Sequence, residues 1–104
     1  MSGTSLDGID LAFCQFIFVD KRWTFNILKT VTFPYEKKWR DKLSSAHRLR
    51  GGDLIVLHKN YGRYVGNLVE TFMQTHEISP HFISSHGHTV FHDPDRKITF
   101  QIGD

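Results

Sequence analysis

The sequence has very little cysteine, no long apolar run and no excess of one charge. Cys14 is the only cysteine, which excludes an internal disulfide framework. No apolar run reaches the ~20 residues that a membrane-spanning helix needs, and no basic, apolar leader follows Met1. Thirteen Lys and Arg residues and 11 Asp and Glu residues give a net charge of +2. This balance of charges is too even to predict a nucleic-acid-binding protein, in which basic residues dominate one face. We therefore expect a cytoplasmic protein that binds neither membrane nor nucleic acid.

The chain of 104 residues is long enough for one domain or part of one. Hydrophobic residues make up 39% and aromatic residues 13% of it, which is typical of a folded chain rather than a disordered one. A glycine-bracketed loop opens the chain with no strand before it, and Gly103 follows an apolar strand directly. Because natural domains seldom begin and end in this way, we expect a fragment of a larger domain.

Two apolar segments near the N-terminus predict a β-hairpin. Ile9–Val19 is almost continuously apolar, as in a strand that is buried on both faces. Trp23–Phe33 alternates apolar with polar residues, the pattern of a strand with one wetter face. The polar residues 20–22 predict the turn between the strands, and Pro34 ends the second strand.

Two helices are predicted after the hairpin. Glu36–Leu49 is charged and carries apolar residues at helical spacing, which predicts a short helix with a solvated face rather than a nucleic-acid-binding one. Gly51-Gly52 is expected to break the chain. Asp53–Glu77 then predicts a long amphipathic helix, capped by its first residue and stopped by Ser79-Pro80. Two short strands are predicted beyond it, at Phe82–Ser85 and Ile98–Ile102. The order of these elements indicates an α/β or α+β fold.

The loop between Gly3 and Gly8 contains the parts of a phosphate site. Glycines allow backbone N–H groups to approach an anion closely, and the hydroxyls of Thr4 and Ser5 can donate to phosphate oxygens. A carboxylate such as Asp7 can hold a magnesium ion. The spacing is not that of a Walker loop. From composition alone, a tight turn with hydroxyl caps is the favoured interpretation.

Four of the seven histidines lie between His81 and His92. On a strand, His86 and His88 would share a face, where neutral imidazoles could bind zinc, and Asp93 and Asp95 could add oxygen ligands. No Cys pair or His-Glu-x-x-His helix supports a zinc site. Loop or pocket histidines that form hydrogen bonds to backbone or ligand are the favoured interpretation.

Two motifs together carry a resemblance to a known family. Residues 1–10, with the sequence MSGTSLDGID, resemble the opening signature of the anhydro-N-acetylmuramic acid kinases. Residues 85–92, SHGHTVFH, resemble a second signature, which is followed in the family by a strand like residues 99–104. The resemblance covers essentially the whole chain. It departs from the family pattern at His88, where many members carry Gln.

The resemblance implies an α/β fold, with this chain forming part of a ribonuclease-H-like domain of the actin, hexokinase and heat-shock ATPase superfamily. Residues 1–104 would be a partial N-terminal domain of a two-domain kinase that binds ATP between its domains. The implied reaction is phosphorylation of 1,6-anhydro-N-acetylmuramic acid with hydrolysis of the anhydro ring, which gives N-acetylmuramic acid 6-phosphate during peptidoglycan recycling.

The resemblance also implies roles for particular residues. The first motif would bind the ATP phosphates through Gly3, Thr4, Ser5, Leu6, Asp7, Gly8, Ile9 and Asp10. Magnesium would bind through Asp7 or Asp10. The second motif would contact the sugar through His86, His88 and Thr89. The family's catalytic base is an Asp beyond Asp104, so no catalytic residue is expected within this chain.

A non-enzymatic alternative follows from the predicted hairpin. Its open edge would expose unpaired backbone groups, which invites pairing with a second copy. On this interpretation the chain is a catalytically inactive fragment that associates into a homodimer.

Overall fold

The computed structural model describes residues 6–103, which form a long hairpin, two helices and a short second hairpin. The elements are β1 (Gly8–Val19), β2 (Arg22–Pro34), α1 (Lys37–Ser44), a 3-10 turn (Ala46–Arg48), α2 (Gly51–Thr75), β3 (His88–Asp93) and β4 (Ile98–Ile102). This mixed α/β arrangement confirms the predicted fold class and is consistent with part of an actin-like ATPase domain. Within residues 6–103, no helix is both long and apolar enough to cross a membrane.

The first hairpin forms where the sequence predicts it. β1 and β2 pair antiparallel from Gly8 opposite Pro34 to Val19 opposite Arg22, with an irregularity in the register after Phe13. The two turn residues, Asp20 and Lys21, have φ values of 51° and 62°. Positive φ at both positions is the geometry of a type I′ turn, whose twist matches that of the strands it joins.

The expectation that Ile9–Val19 is buried on both faces is wrong. Only Ile9 at the base of the hairpin is fully buried, and from Gln15 onward every residue of β1 is exposed. The helices pack against the base of the hairpin and leave its outer half uncovered. An apolar sequence shows which side chains favour burial. Burial also needs another element packed on each face, and the outer half of this hairpin has none within residues 6–103.

Both helices lie within or close to their predicted bounds. α1 and the 3-10 turn fall inside Glu36–Leu49, as predicted. α2 begins at Gly51, so the two glycines form its first turn and do not break the chain. An added Cβ at either glycine would meet open space, and the first-turn N–H groups have no helical partner in any case. Arg50, not Asp53, is the N-cap.

The C-terminal end of α2 and the following strand also differ from the predictions. α2 ends at Thr75, and Glu77 with φ 52° turns the chain before Ser79-Pro80 is reached. The strand predicted at Phe82–Ser85 is wrong, because the strand β3 begins only at His88. Phe82 is 73% exposed, so its apolar character marks no buried strand. The strand predicted at Ile98–Ile102 is confirmed as β4.

The core sits where the base of the first hairpin meets α1, α2 and β4. Its buried members are Ile9, Tyr35, Leu43, Ala46, Leu57, Tyr61 and Ile102. The hydroxyls of Tyr35 and Tyr61 share a buried hydrogen bond of 2.6 Å. α2 therefore forms the scaffold that joins the N-terminal hairpin to the C-terminal one.

Candidate functional site

Residues of both sequence motifs line one pocket of about 230 Å³. Leu6 contributes from the first motif, and His88, Thr89 and Val90 contribute from the second. The remaining lining residues come from α1 and the 3-10 turn: Leu43, Ser44 and His47. Two segments more than 80 residues apart in sequence thus converge on one cavity.

The described part of the first motif is fixed to β2. Gly3, Thr4 and Ser5 lie outside the described residues. The carbonyl oxygen of Asp7 accepts a 3.1 Å hydrogen bond from the backbone N–H of Tyr35. At Gly8, a Cβ would clash with the carbonyl oxygen of Phe33. Close strand approach therefore requires glycine at the end of the loop.

Two carboxylates lie at the base of the first hairpin, where β1 begins and β2 ends. Both Asp7 and Asp10 are exposed, and Asp10 Oδ1 accepts a 2.6 Å hydrogen bond from the hydroxyl of Thr32. No group of three metal-ligating side chains occurs in residues 6–103. The aspartates suit Mg²⁺, which is commonly held by one or two carboxylates with waters and substrate phosphates completing the shell.

The second motif divides into an exposed and a buried part. His86 is exposed, whereas His88 is only 4% exposed and stands edge-on to the ring of Tyr61. The two histidines do not share a strand face, because Gly87 has φ +67° and β3 starts after it. His88 and Thr89 line the pocket, and His86 does not.

The hydroxyl of Thr89 is oriented by its neighbour on β4. Thr89 Oγ1 accepts a 3.2 Å hydrogen bond from the side-chain amide of Gln101, the residue opposite it in the register. Since a hydroxyl both donates and accepts, the Thr89 hydrogen remains available to a ligand in the pocket.

Glycines and α2 hold the second motif in place. A Cβ at Gly87 would clash with the carbonyl oxygen of Ile102, and a Cβ at Gly103 would lie 3.0 Å from the ring of Tyr61. The backbone N–H of Gly103 donates to Nδ1 of His58 at 3.2 Å. Gly87 therefore allows the close approach of its segment to β4, and Gly103 allows the close approach of the end of β4 to α2.

An aromatic group supports the base of the site. Trp39 stacks on Tyr64 with ring centroids 4.5 Å apart, and Tyr35 and Tyr61 lie beside them. Burial raises the pKa of Tyr64 above its ordinary value, and the neighbouring Tyr35 and Glu36 raise it further. Tyr64 is therefore neutral at physiological pH and acts as a packing residue.

Asp93, considered with the histidines as an oxygen ligand for zinc, is engaged elsewhere. Its carboxylate accepts hydrogen bonds from the side chain of Arg96 at 2.7 Å and from the Arg96 backbone N–H at 3.1 Å. The hydrogen bond from the Arg96 side chain is the main cause that lowers the pKa of Asp93. This pair closes the β3–β4 turn.

Several residues at the candidate site carry no signal in the sequence. Tyr35 follows the proline that ends β2, and Tyr61 lies in the apolar stripe of α2. Neither carries a local signal of a role beyond packing. Ser44 and His47 lie in a segment that the charge pattern assigns to a solvated face. Only the tertiary packing brings these four residues to the two motifs.

Comparison with known proteins tests the resemblance. A sequence profile of the family described as Anhydro-N-acetylmuramic acid kinase matches residues 1–104. The chain belongs to the anhydro-N-acetylmuramic acid kinase family. The protein of that name from Pseudoalteromonas translucida is 30% identical over 118 residues, covering 100% of this chain and 29% of the relative. That from Agrobacterium fabrum is 33% identical, covering 100% and 30%. That from Acinetobacter baylyi is 28% identical, covering 100% and 28%.

The family assignment confirms the predicted family and its kinase class. The chain spans about three-tenths of the length of these curated relatives. The match includes the loop at residues 3–10 and the second motif at residues 85–92. Of these two motifs, Leu6, His88, Thr89 and Val90 line one pocket.

Proposed function

We propose that this chain supplies the phosphate loop and one wall of the sugar site of an ATP-dependent kinase of 1,6-anhydro-N-acetylmuramic acid. The observation that carries the proposal is the pocket in which Leu6 of the first motif meets His88 and Thr89 of the second. Phosphoryl transfer depends on positioning and charge stabilisation more than on covalent help from the protein. A phosphate loop next to the polar wall of the pocket brings the ATP phosphates close to the sugar, which supports that chemistry.

The proposed reaction combines two bond changes. The γ-phosphoryl group of ATP passes to O6 of the sugar while the C1–O6 bond of the anhydro ring breaks. The oxygen of a water molecule bonds to C1, and a general base takes the proton that this water loses. The products are ADP and N-acetylmuramic acid 6-phosphate, as peptidoglycan recycling in the cytoplasm requires.

Residues Gly3–Asp10 hold the ATP phosphates in this proposal. Backbone N–H groups near glycine bind phosphate oxygens, and the hydroxyls of Thr4 and Ser5 add donors. Asp7 or Asp10 holds Mg²⁺, which supplies charge neutralisation on the phosphates when it is bound. The fixed backbone of Asp7 and Gly8 orients the loop relative to the pocket.

The remaining roles are divided between this chain and other residues. His88 and Thr89 face the sugar from the pocket wall, and exposed His86 contributes from the preceding loop. The general base of the reaction lies outside residues 1–104 in this proposal, as the family resemblance implies. These residues are then a partial N-terminal domain of a two-domain kinase.

Product analysis tests this proposal. The polypeptide encoded by the whole reading frame that contains this sequence is incubated with ATP, Mg²⁺ and 1,6-anhydro-N-acetylmuramic acid in ¹⁸O-water. We expect N-acetylmuramic acid 6-phosphate that carries one heavy oxygen in the sugar and none in the phosphate. The 104-residue chain alone should form no product, because general-base catalysis and positioning each contribute several kcal/mol. A whole-frame polypeptide without turnover would contradict the proposal.

A second proposal concerns self-association, and it rests on one face of the first hairpin. Phe16 is paired with Phe25, and Phe18 with Trp23, so these four rings share a face and form an aromatic stripe. By alternation along β1, this face is opposite to that of Ile9, which packs in the core. Every ring of the stripe is more than half exposed.

The area of the aromatic stripe suits a second copy of the chain. At 150–250 Å² per aromatic side chain, four rings exposed by about six-tenths present roughly 400–600 Å². A stable interface takes about 800 Å² from each partner, and the open edge of the hairpin can supply the rest, since β1 and β2 form a two-stranded sheet in residues 6–103. We propose that two copies pair symmetrically through this hairpin.

A further inference from the structure

The pocket has a wall that belongs to neither sequence motif. Ser44 ends α1, and His47 lies in the 3-10 turn that follows it. The 3-10 turn packs against β3, which places both residues in the pocket that also contains His88 and Thr89. The family signatures give these two side chains no role, so their hydrogen bonds and surroundings decide what they can bind.

The hydrogen bond of His47 determines which of its nitrogens can donate. Nε of Arg48 lies 3.3 Å from Nε2 of His47. Arginine nitrogens only donate, so Nε2 accepts and Nδ1 carries the ring N–H of His47. His47 therefore presents an N–H donor in addition to the O–H of Thr89, whose oxygen already accepts from Gln101.

The surrounding charge favours a ligand with an anionic acceptor. Residues 37–50 carry six basic side chains and one carboxylate, Asp41. The carboxylate of Asp41 is paired with Lys37 at 2.6 Å, which leaves the rest of the segment basic. The described lining of the pocket itself contains no acidic residue. No acidic side chain of the described lining therefore opposes a bound carboxylate.

The size and the apolar lining limit the ligand further. About 230 Å³ is less than the roughly 300–1,000 Å³ that holds a drug-sized molecule, so the pocket takes part of a ligand rather than a whole nucleotide. Leu6, Leu43 and Val90 provide apolar contacts beside the polar groups. A short acid with a small apolar group fits this combination.

We propose that His47 and Ser44 form the subsite for the lactyl carboxylate of the sugar. This inference rests on the proposed function and deepens it, because the lactyl group is what distinguishes N-acetylmuramic acid from N-acetylglucosamine. His47 donates from Nδ1 to the carboxylate. Ser44, whose hydroxyl donates to the Asp41 carbonyl at 3.0 Å, orients the end of α1 beside it. His47 is thus a specificity-determining residue.

Kinetics with two sugars test the subsite. The whole-frame polypeptide and its variants are assayed with 1,6-anhydro-N-acetylmuramic acid and with 1,6-anhydro-N-acetylglucosamine, which lacks the lactyl group. His47→Ala should raise KM for the muramic sugar by about tenfold or more, since a hydrogen bond to a charged group is lost. KM for the glucosamine sugar and both kcat values should change less than twofold.

Two further variants serve as controls. His47→Gln retains an N–H donor and should keep most of the preference for the muramic sugar. His81→Ala removes an exposed histidine that does not line the pocket and should leave both KM values unchanged. If His47→Ala leaves KM for the muramic sugar unchanged, or raises both KM values equally, the subsite is overturned while the proposed function stands. If the wild-type polypeptide turns over neither sugar, the proposed function is overturned, and the subsite with it.

Discussion

The hydroxyl oxygens of Tyr35 and Tyr61 lie 2.6 Å apart in the core. The backbone N–H of Tyr35 holds the carbonyl of Asp7 in the first motif, while the ring of Tyr61 contacts Gly103 and stands beside His88 in the second. One buried hydrogen bond therefore links the supports of both motifs.

Tyr35→Phe and Tyr61→Phe should each lower the free energy of unfolding by about 1 kcal/mol, the usual net contribution of one hydrogen bond. Because both changes remove the same hydrogen bond, the double variant should lose less than the sum of the two. Urea-induced unfolding gives the free energy of unfolding of the wild type, the two single variants and the double variant. Strictly additive losses would mean that the two hydroxyls do not stabilise each other.

Gly87→Ala should destabilise the protein by roughly 1–3 kcal/mol, the range for a residue held in a strained backbone conformation. Its φ is +67°, and the added methyl would clash with the carbonyl of Ile102. Gly66→Ala is the matched control, since it lies in α2 with open space around it. That variant should gain about 0.5–1 kcal/mol from helix propensity. Equal thermal shifts in the two variants would contradict the close approach of β3 to β4.

The comparison of the predicted elements with the structure shows which features the sequence could predict. The hairpin, the long helix and β4 follow from apolar periodicity, which depends on local geometry alone. The strand predicted at Phe82–Ser85 failed because apolar residues in a short segment need not be buried. Gly51 and Gly52 mislead for a different reason, since a helix N-terminus tolerates residues that its interior does not.

The candidate site can be outlined from the sequence motifs, but its packing cannot. The loop and His88 with Thr89 were named from the sequence, and the structure brings Leu6 to the last two. The positions of Ser44 and His47 depend on how α1 and the 3-10 turn pack on β3. Packing between two distant segments produces no periodic pattern of apolar residues in a charged surface segment, so the sequence alone does not indicate these positions.

Asp7→Asn in the whole-frame polypeptide should lower kcat by at least tenfold and change the melting temperature little. Asp7 is exposed, so its charge contributes to ligand binding more than to packing in our account. Asp20→Asn, at the far turn of the hairpin, is the matched control and should keep the wild-type kcat, since Asn tolerates a positive φ as Asp does. Steady-state kinetics and thermal unfolding are measured on both. Unchanged kinetics in Asp7→Asn would remove this carboxylate from the mechanism.

The 104-residue chain should be a dimer in light scattering at micromolar concentration. Changing Trp23 and Phe25 together to Thr should shift it toward the monomer, because the aromatic stripe is lost while strand propensity is kept. Ile55→Ser serves as the control, since it removes an exposed apolar side chain on α2 and should leave the mass unchanged. Circular dichroism confirms that each variant is folded. A monomeric wild-type chain would contradict pairing through the hairpin.

The central claim is that the two motifs form one site for ATP and the sugar. A crystal structure of the whole-frame polypeptide with Mg²⁺, a non-hydrolysable ATP analogue and 1,6-anhydro-N-acetylmuramic acid tests it most directly. The account predicts the γ-phosphate within hydrogen-bond distance of residues 3–10, and the sugar in contact with Thr89. A sugar bound away from the pocket of Leu6, His88 and Thr89, or phosphates bound away from the loop, would contradict it.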